Sequence, residues 1–517
     1  MSPKLTFHSH GTTTTTTLLF VVSIFLISWL FTLRRRRRSN TRRLPPGPAK
    51  LPIIGNLHQL GKSPHISLQK LSMDHGPLMY LQLGCSPTLV ISSADAARDV
   101  FKSHDIAFSG RPALYALKRL SYGLVDIAVA PYGEHWRQIR KMCMLELLSV
   151  KRVNSFWRER EEVVVRVIDS IATRCHSPDP IDLSAAMLTL TIDVTCRIAF
   201  GKKYGHSDVG GGPFHRILEE TQTFLGGFCT ADFFPRLAWV HNFTGFQAQL
   251  DRNFGELDAF YESVIEEHVR GGRPESGDRD LVDVLIRLQK DPIDGMVMSS
   301  PSHAKAILTD VFIGGSDTSS AALVWTMTEL MKNPASMKKA QDEVRKAVQK
   351  NKHRVDETDL QQLHYLKLVI KESLRLHPPV PLLVPRETIE DCNIRGYDIP
   401  AKTRVFVNAR AIGRDPKYWK DPDEFRPERF DDDDVRMIDF RGQDFQLVPF
   451  GMGRRGCPGI NFAYVTIELT LANLLHRFDW ALPEGMRAED VDMQDRFGMT
   501  MHKKIPLCLV AVDVLGK

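Results

Sequence analysis

The chain has 517 residues, 43% of them hydrophobic, so it is long enough and apolar enough to bury a large core. Its eight cysteines are scattered with no Cys-x-x-Cys spacing, which argues against a disulfide framework or a zinc site and for a reducing compartment. The formal net charge of +6 comes from residues 1–43, which hold Lys4 and a set of arginines but no acid; the remainder is slightly acidic, and nothing suggests a nucleic-acid surface.

Residues 18–33 are an almost unbroken apolar run, preceded by threonines and followed by Arg34 to Arg38. As a helix the run rises about 24 Å, and some of the threonines bring it toward a hydrocarbon core of roughly 30 Å. The arginines follow the run, and no small-residue cleavage site comes after them, so it reads as a retained anchor and not a signal peptide. By the positive-inside rule the body is expected on the cytosolic side of a single span, in the endoplasmic reticulum membrane. Leu44-Pro45-Pro46-Gly47-Pro48 cannot continue a helix and reads as a stiff hinge. With no Ser- or Gly-rich linker beyond residue 50, the expected organisation is an anchor and basic flank at 1–43, a hinge at 44–60 and one catalytic unit at 61–517.

Strands are expected at 78–83 and 88–91, around a polar Cys85-Ser86-Pro87 break. Helical periodicity dominates afterwards, for example at 158–171, 254–270 and 280–289, with loops at 210–212 and 271–277. The acid run 431–434 reads as a solvated loop, and the sequon at Asn242 as chance in a cytosolic body. A long helix is expected from a Ser300 cap and a Pro301 start to Asn333-Pro334, spanning nearly 50 Å. Its middle, Gly314-Gly315-Ser316-Asp317-Thr318-Ser319, is odd for a helix, because each interior glycine costs roughly 1 kcal/mol against alanine. A ligand pressed against the backbone would account for Gly315, and Asp317 with Thr318 supplies an acid and a hydroxyl, the pieces of a proton relay.

Glu372 and Arg375 share one face of a helix over 363–376, and Pro427-Glu428-Arg429-Phe430 follows downstream. The most informative stretch is Phe450-Gly451-Met452-Gly453-Arg454-Arg455-Gly456-Cys457-Pro458-Gly459, ahead of an apolar helical run with Pro458 suited to its first turn. Basic neighbours and the positive end of a helix dipole favour an ionised sulfur, and the glycines let a flat group approach: the chemistry of a thiolate metal ligand.

The loop resembles the haem-binding pattern Phe-x-x-Gly-x-Arg-x-Cys-x-Gly of the cytochrome P450 superfamily at every fixed position, and the resemblance extends over essentially the whole chain after residue 44. Phe108-Ser109-Gly110-Arg111-Pro112 and the segment from Pro131 to Arg137 are similar to the plant-type microsomal branch. The resemblance implies a mainly α fold with a small β region, the cytochrome P450 fold, behind one N-terminal transmembrane helix. It implies haem b with Cys457 as axial ligand, Phe450 and Gly459 in the loop around it, and Trp136, Arg140, Arg386 and Arg455 toward the haem propionates. Thr318 and Asp317 correspond to the residues that handle oxygen and protons, with Gly315 making room, and Glu372, Arg375 and Arg429 to a buried structural triad. No nucleotide-binding fingerprint is present, so electrons are expected from NADPH through a separate NADPH-cytochrome P450 reductase.

By the same resemblance the cavity is lined near 114–127, by Phe312 and Gly315, and by 380–384 and 497–501, with Lys118, Arg119 and Asp126 pointing outward. Such a lining suits a lipophilic small molecule, such as a terpenoid, aldoxime, alkaloid or phenolic. The expected activity is insertion of one oxygen atom from O2. The alternative is dehydration or rearrangement on the same fold, which would not need the relay that Thr318 represents.

Overall fold

In the computed structural model, the described residues are 42–515 without 176–178, 202–212, 228, 272–279, 291–299, 349–351, 434 and 497, together with residue 23. The apolar run 18–33, the arginines after it, the loop 210–212, most of the loop 271–277, Asp434 and Phe497 lie outside the described residues.

The body is mainly helical with small sheets. In chain order, the elements that position the site are strands β1 (Leu78–Leu83) and β2 (Ser86–Ile91), then helices α1 (Glu134–Met142) and α2 (Leu183–Phe200). After these come α3 (Pro301–Lys332), α4 (His364–Leu376), β3 (Arg386–Glu387) and β4 (Arg404–Val407). Helix α5 (Ile460–Arg477) and the short strands β5 (Asp495–Arg496) and β6 (His502–Lys503) complete the set. The largest sheet has the order β1-β2-β4-β3; β2 and β4 are parallel and the outer pairs antiparallel, with Thr88 opposite Arg404 and Arg386 opposite Val405. Strand β2 starts two residues before the expected Thr88, because Pro87 sits where β2 has only β1 as partner and needs no second ladder bond.

Helix α3 has the bounds its end signals predict. The Ser300 hydroxyl accepts from Ser302 N, Pro301 occupies the first turn, and Asn333-Pro334 ends it. Its second half, from Ser319 to Met331, is buried throughout, which makes it the axis of the helical core. Helix α2 packs against it so closely that a Cβ on Gly315 would come within 3.0 Å of Thr195 Oγ1. Among the described residues α2 is the helix long and apolar enough to cross a membrane, but 72% of its apolar window is buried, so it is a core helix.

Glu372, Arg375 and Arg429 meet in the interior, with side chains 0%, 0% and 2% exposed. Arg375 grips both oxygens of Glu372 at 2.8 Å and Arg429 adds a bond of 2.9 Å. The other guanidinium N–H groups donate to the carbonyls of Gly413, Pro422, Lys420, Asp421 and Glu424. One carboxylate thus ties a helix to the whole 413–429 loop, and removing it would leave two buried cations. Glu372→Ala should cost about 3–5 kcal/mol in denaturant unfolding of the holoprotein, and a loss below about 1 kcal/mol would contradict this account.

Glu468 on α5 is the opposite case. Burial pushes its carboxyl up to about 7, more than the pull of Lys367, 3.6 Å away, can offset. An acid whose folded value is raised favours the fold while both states are protonated. Stability should therefore fall as pH rises from the ordinary value of 4.5 toward about 7 and level off above it. Glu468→Gln should flatten that part of the unfolding profile; an unchanged slope would show that Glu468 titrates normally.

Candidate active site

The loop before α5 is shaped by glycines. Gly451 and Gly453 have φ of 72° and 63°, and a Cβ on Gly453 would strike Asp105 Oδ1 at 2.3 Å. Asp105 in turn accepts from Arg454 N at 3.0 Å and from Arg386 at 3.4 Å, which clamps the loop to the sheet side of the molecule. The backbone N–H of Cys457 donates to Phe450 O at 2.8 Å, and the Cys457 sulfur accepts from Gly459 N at 3.3 Å. Helix α5 starts at Ile460 with Gly459 as its cap, so Pro458 lies in the turn before the helix and not in its first turn. Burial raises the Cys457 thiol, while the Gly459 N–H and Arg140 pull it down without prevailing. Dipole and arginine alone therefore do not ionise this sulfur; a coordinated metal cation would.

A cavity connects this loop to the middle of α3. Phe450, Gly451, Cys457, Pro458 and Gly459 line it from the loop, and Gly314, Gly315, Thr318 and Ser319 from the helix. A Cβ on Gly314 would meet nothing within 4 Å, whereas one on Gly315 would meet Thr195 and Phe462. The room expected from Gly315 is thus provided at Gly314, and Gly315 also serves the close packing of α2. The Thr318 hydroxyl donates to Gly314 O at 2.7 Å, and Asp317 is 3% exposed.

Arg111, Arg140, Arg386 and Arg455 converge on the same cavity. Burial and mutual repulsion push Arg455 down to about 9; burial and Arg140 push Arg386 to about 10 against the pull of Asp105; and Arg111 also falls well below its ordinary value. Their N–H groups are met mainly by backbone carbonyls: Arg455 by Ser109 and Ala130, Arg386 by Met452, Arg140 by Gly456. One nitrogen of Arg455, Nη1, is buried with no partner among the described residues. Trp136 does not line the cavity; its indole N–H donates to Ile127 O, and its ring lies between Arg455 at 4.1 Å and Arg140 at 5.8 Å. Concentrated, poorly neutralised guanidinium groups beside a half-buried thiol and a glycine-lined wall fit a flat metal complex with anionic arms, and haem with its two propionates is such a group.

The rest of the lining is largely apolar, with Leu117, Leu120, Ile127, Val380, Leu383 and Val384 from the expected segments and Met499 and Thr500 from the last. Phe312 is not part of it; it is fully buried in the core beside Phe200. Lys118 and Arg119 are exposed as expected, but Asp126 is not: it lies 2% exposed in the cavity wall. The reason is Asp310 on α3, a residue the sequence reading passed over although it lies two helical turns before Asp317. Asp310 Oδ2 accepts from Ile127 N and Ala128 N at 2.9 and 3.0 Å, Asp126 Oδ1 accepts from Val129 N, and the two carboxyl groups hydrogen-bond each other. Burial raises both above the ordinary carboxylate range. Asp310→Asn retains an acceptor for the loop and should change stability by less than about 1 kcal/mol. Asp310→Leu strands two buried N–H groups and should cost about 2 kcal/mol or more in denaturant unfolding; equal effects would show that the tie to the loop is unimportant.

The family model described as Cytochrome P450 matches residues 45–509. The chain is 56% identical to strychnine-11-hydroxylase of Strychnos nux-vomica, over 91% of this chain and 92% of that protein. It is 52% identical to cytochrome P450 71A9 of Glycine max, over 94% and 97%. Among solved structures, a zebra fish cytochrome P450 with progesterone superposes with a TM-score of 0.74 at 26% identity, over 87% of this chain and 99% of that one. The cysteine loop, the glycine-bearing helix and the cluster of arginines thus occur in a chain that belongs to the cytochrome P450 family, and within it to the plant monooxygenases.

Proposed function

We propose that this monooxygenase inserts one oxygen atom from O2 into a lipophilic plant specialised metabolite, foremost a polycyclic alkaloid. It would use haem b ligated by Cys457 and electrons from NADPH through a separate cytochrome P450 reductase. The observation that carries the reading is the single cavity lined by Cys457, by Thr318 and Gly314, and by Arg140, Arg386 and Arg455. The similarity to a protein named for hydroxylating strychnine supports the alkaloid class.

Haem, when bound, supplies the activation of O2 that no amino-acid side chain provides, and a thiolate ligand favours O–O cleavage. The protein's part is positional. Cys457 would ligate the metal, its sulfur fixed by the Cys457 N–H bond to Phe450 O and by the Gly459 N–H. Arg140, Arg386 and Arg455 would neutralise the propionates, and Trp136 steadies Arg455 by stacking on it. The Thr318 hydroxyl donates to Gly314 O until a better acceptor reaches it, and Asp317 stands next in sequence as the acid. The apolar walls exclude water and orient a hydrocarbon skeleton.

Residues 1–43 would anchor the chain in the endoplasmic reticulum membrane, with 44–60 as the hinge and the catalytic unit in the cytosol. An exposed apolar surface supports contact with the bilayer. Leu51, Ile53 and Ile54 lie on one side of the β1–β2 turn, and Leu237, Trp239 and Phe243 belong to the segment on its other side. The turn joins them: Gly84 N donates to Ile54 O at 3.1 Å and Cys85 N to Phe233 O at 2.7 Å.

The full chain with its reductase in microsomes should give a thiolate-type carbon monoxide difference band, lost with all turnover in Cys457→Ser. In a panel of polycyclic alkaloids, terpenoids and phenolics, the alkaloids should move the ferric spectrum from low to high spin and cause oxygen-dependent NADPH use. A shift with terpenoids or phenolics alone would overturn the alkaloid assignment, and an unchanged band in Cys457→Ser would overturn the ligand.

A further inference from the structure

Asp317 does not open on the cavity. Gly314, Gly315, Thr318 and Ser319 line it, but the Asp317 side chain is 4% exposed and turns to the C-terminal hairpin, where its Oδ1 meets His502 Nε2 at 2.9 Å. Its other oxygen, Oδ2, is buried with no partner among the described residues. A buried acid that gives up a proton has to be reloaded before the next turnover, and water does not reach this one directly. The side chain that does reach both is His502, which touches Asp317 and has 23% of its own surface exposed. Imidazole suits that place, since one ring nitrogen can take a proton while the other gives one up.

His502 is held there by more than this bond. Strand β6 pairs it with Arg496 on β5, the carbonyl of Met501 accepts from Trp325 Nε1 at 2.8 Å, and Met501 N donates to Pro379 O at 2.8 Å. The adjacent ammonium of Lys503 is turned away, onto the Trp325 ring and the carbonyl of Asp492. Asp317 therefore faces an imidazole and not a fixed cation.

We propose that His502 positions Asp317 and reloads it with protons from solvent; this rests on the monooxygenase reading above. His502 Nδ1 takes a proton from water while Nε2 passes its own to Asp317 Oδ1. The resulting acid serves Thr318, one residue further along α3. No electrons move; His502 ends neutral as its Nδ1–H tautomer, which proton exchange with solvent resets to Nε2–H, and the net change is one proton on Asp317 and one hydroxide in bulk water.

His502→Gln separates this role from a structural one, because glutamine can hydrogen-bond Asp317 but cannot carry a proton. With haem, reductase, NADPH and O2 and no added substrate, His502→Gln and His502→Phe should both slow NADPH oxidation about tenfold, with haem content unchanged in His502→Gln. A wild-type rate in His502→Gln overturns the proposal, including the case where only His502→Phe is slow. Asp317→Asn and Thr318→Ala are the controls on the underlying reading: if they are slow and His502→Gln is not, His502 alone is dismissed, and if none is slow, the relay itself falls. A measurement without turnover adds to this. In the ferrous carbon monoxide complex of 15N-histidine-labelled protein, the His502 signal, assigned by its loss in His502→Gln, should move in Asp317→Asn and stay in Thr318→Ala. A signal indifferent to Asp317 overturns the contact.

Discussion

Positive charge held inside the molecule without enough acid to balance it organises the centre of this protein. Arg111, Arg140, Arg386 and Arg455 depress one another, and Asp105 and Asp126 offset them only in part. What keeps them in place is backbone carbonyls, at Ser109, Ala128, Ala130, Met452 and Gly456. Those carbonyls belong to the segments that enclose the cavity, so the charge that suits an anionic cofactor also sets the shape of its surroundings. Buried charge is usually a liability. Here it is tolerable because a bound dianion would repay the desolvation.

The Glu372 network solves the contrasting problem. There every nitrogen of the two guanidinium groups is bonded, to one carboxylate or to a ring of carbonyls, and no charge is left over for a ligand. Two clusters built from the same side chains thus differ in the fate of their leftover charge: complete satisfaction makes a fastener, incomplete satisfaction makes a receptor.

Features governed by local chemistry were legible in the sequence. Ser300-Pro301 and Asn333-Pro334 bound α3 because caps and prolines act on their immediate neighbours, and Glu372, Arg375 and Arg429 could be paired because family resemblance carries contact information that spacing does not. What depended on distant partners was not legible. Asp126 was expected at the surface because a charged loop residue ordinarily lies there, and only Asp310, far along the chain, draws it inward. The Cys457 thiol was expected to be ionised by dipole and arginine, but desolvation by the surrounding protein raises it more than the Gly459 N–H and Arg140 lower it. Gly314 and Gly315 look interchangeable in a string of letters; the direction of each missing Cβ separates them.

The segment 499–502 joins two features that are usually varied separately. Met499 and Thr500 form part of the cavity wall, and His502, on the same few residues of backbone, holds Asp317. The backbone between them is pinned at Met501 to both Trp325 and Pro379, so it moves as a piece or not at all. On the proposed reading, a lineage that recontours this wall to admit a bulkier skeleton would also shift the setting of Asp317. Substrate range and the efficiency of oxygen use would then, on this hairpin, be one evolutionary variable.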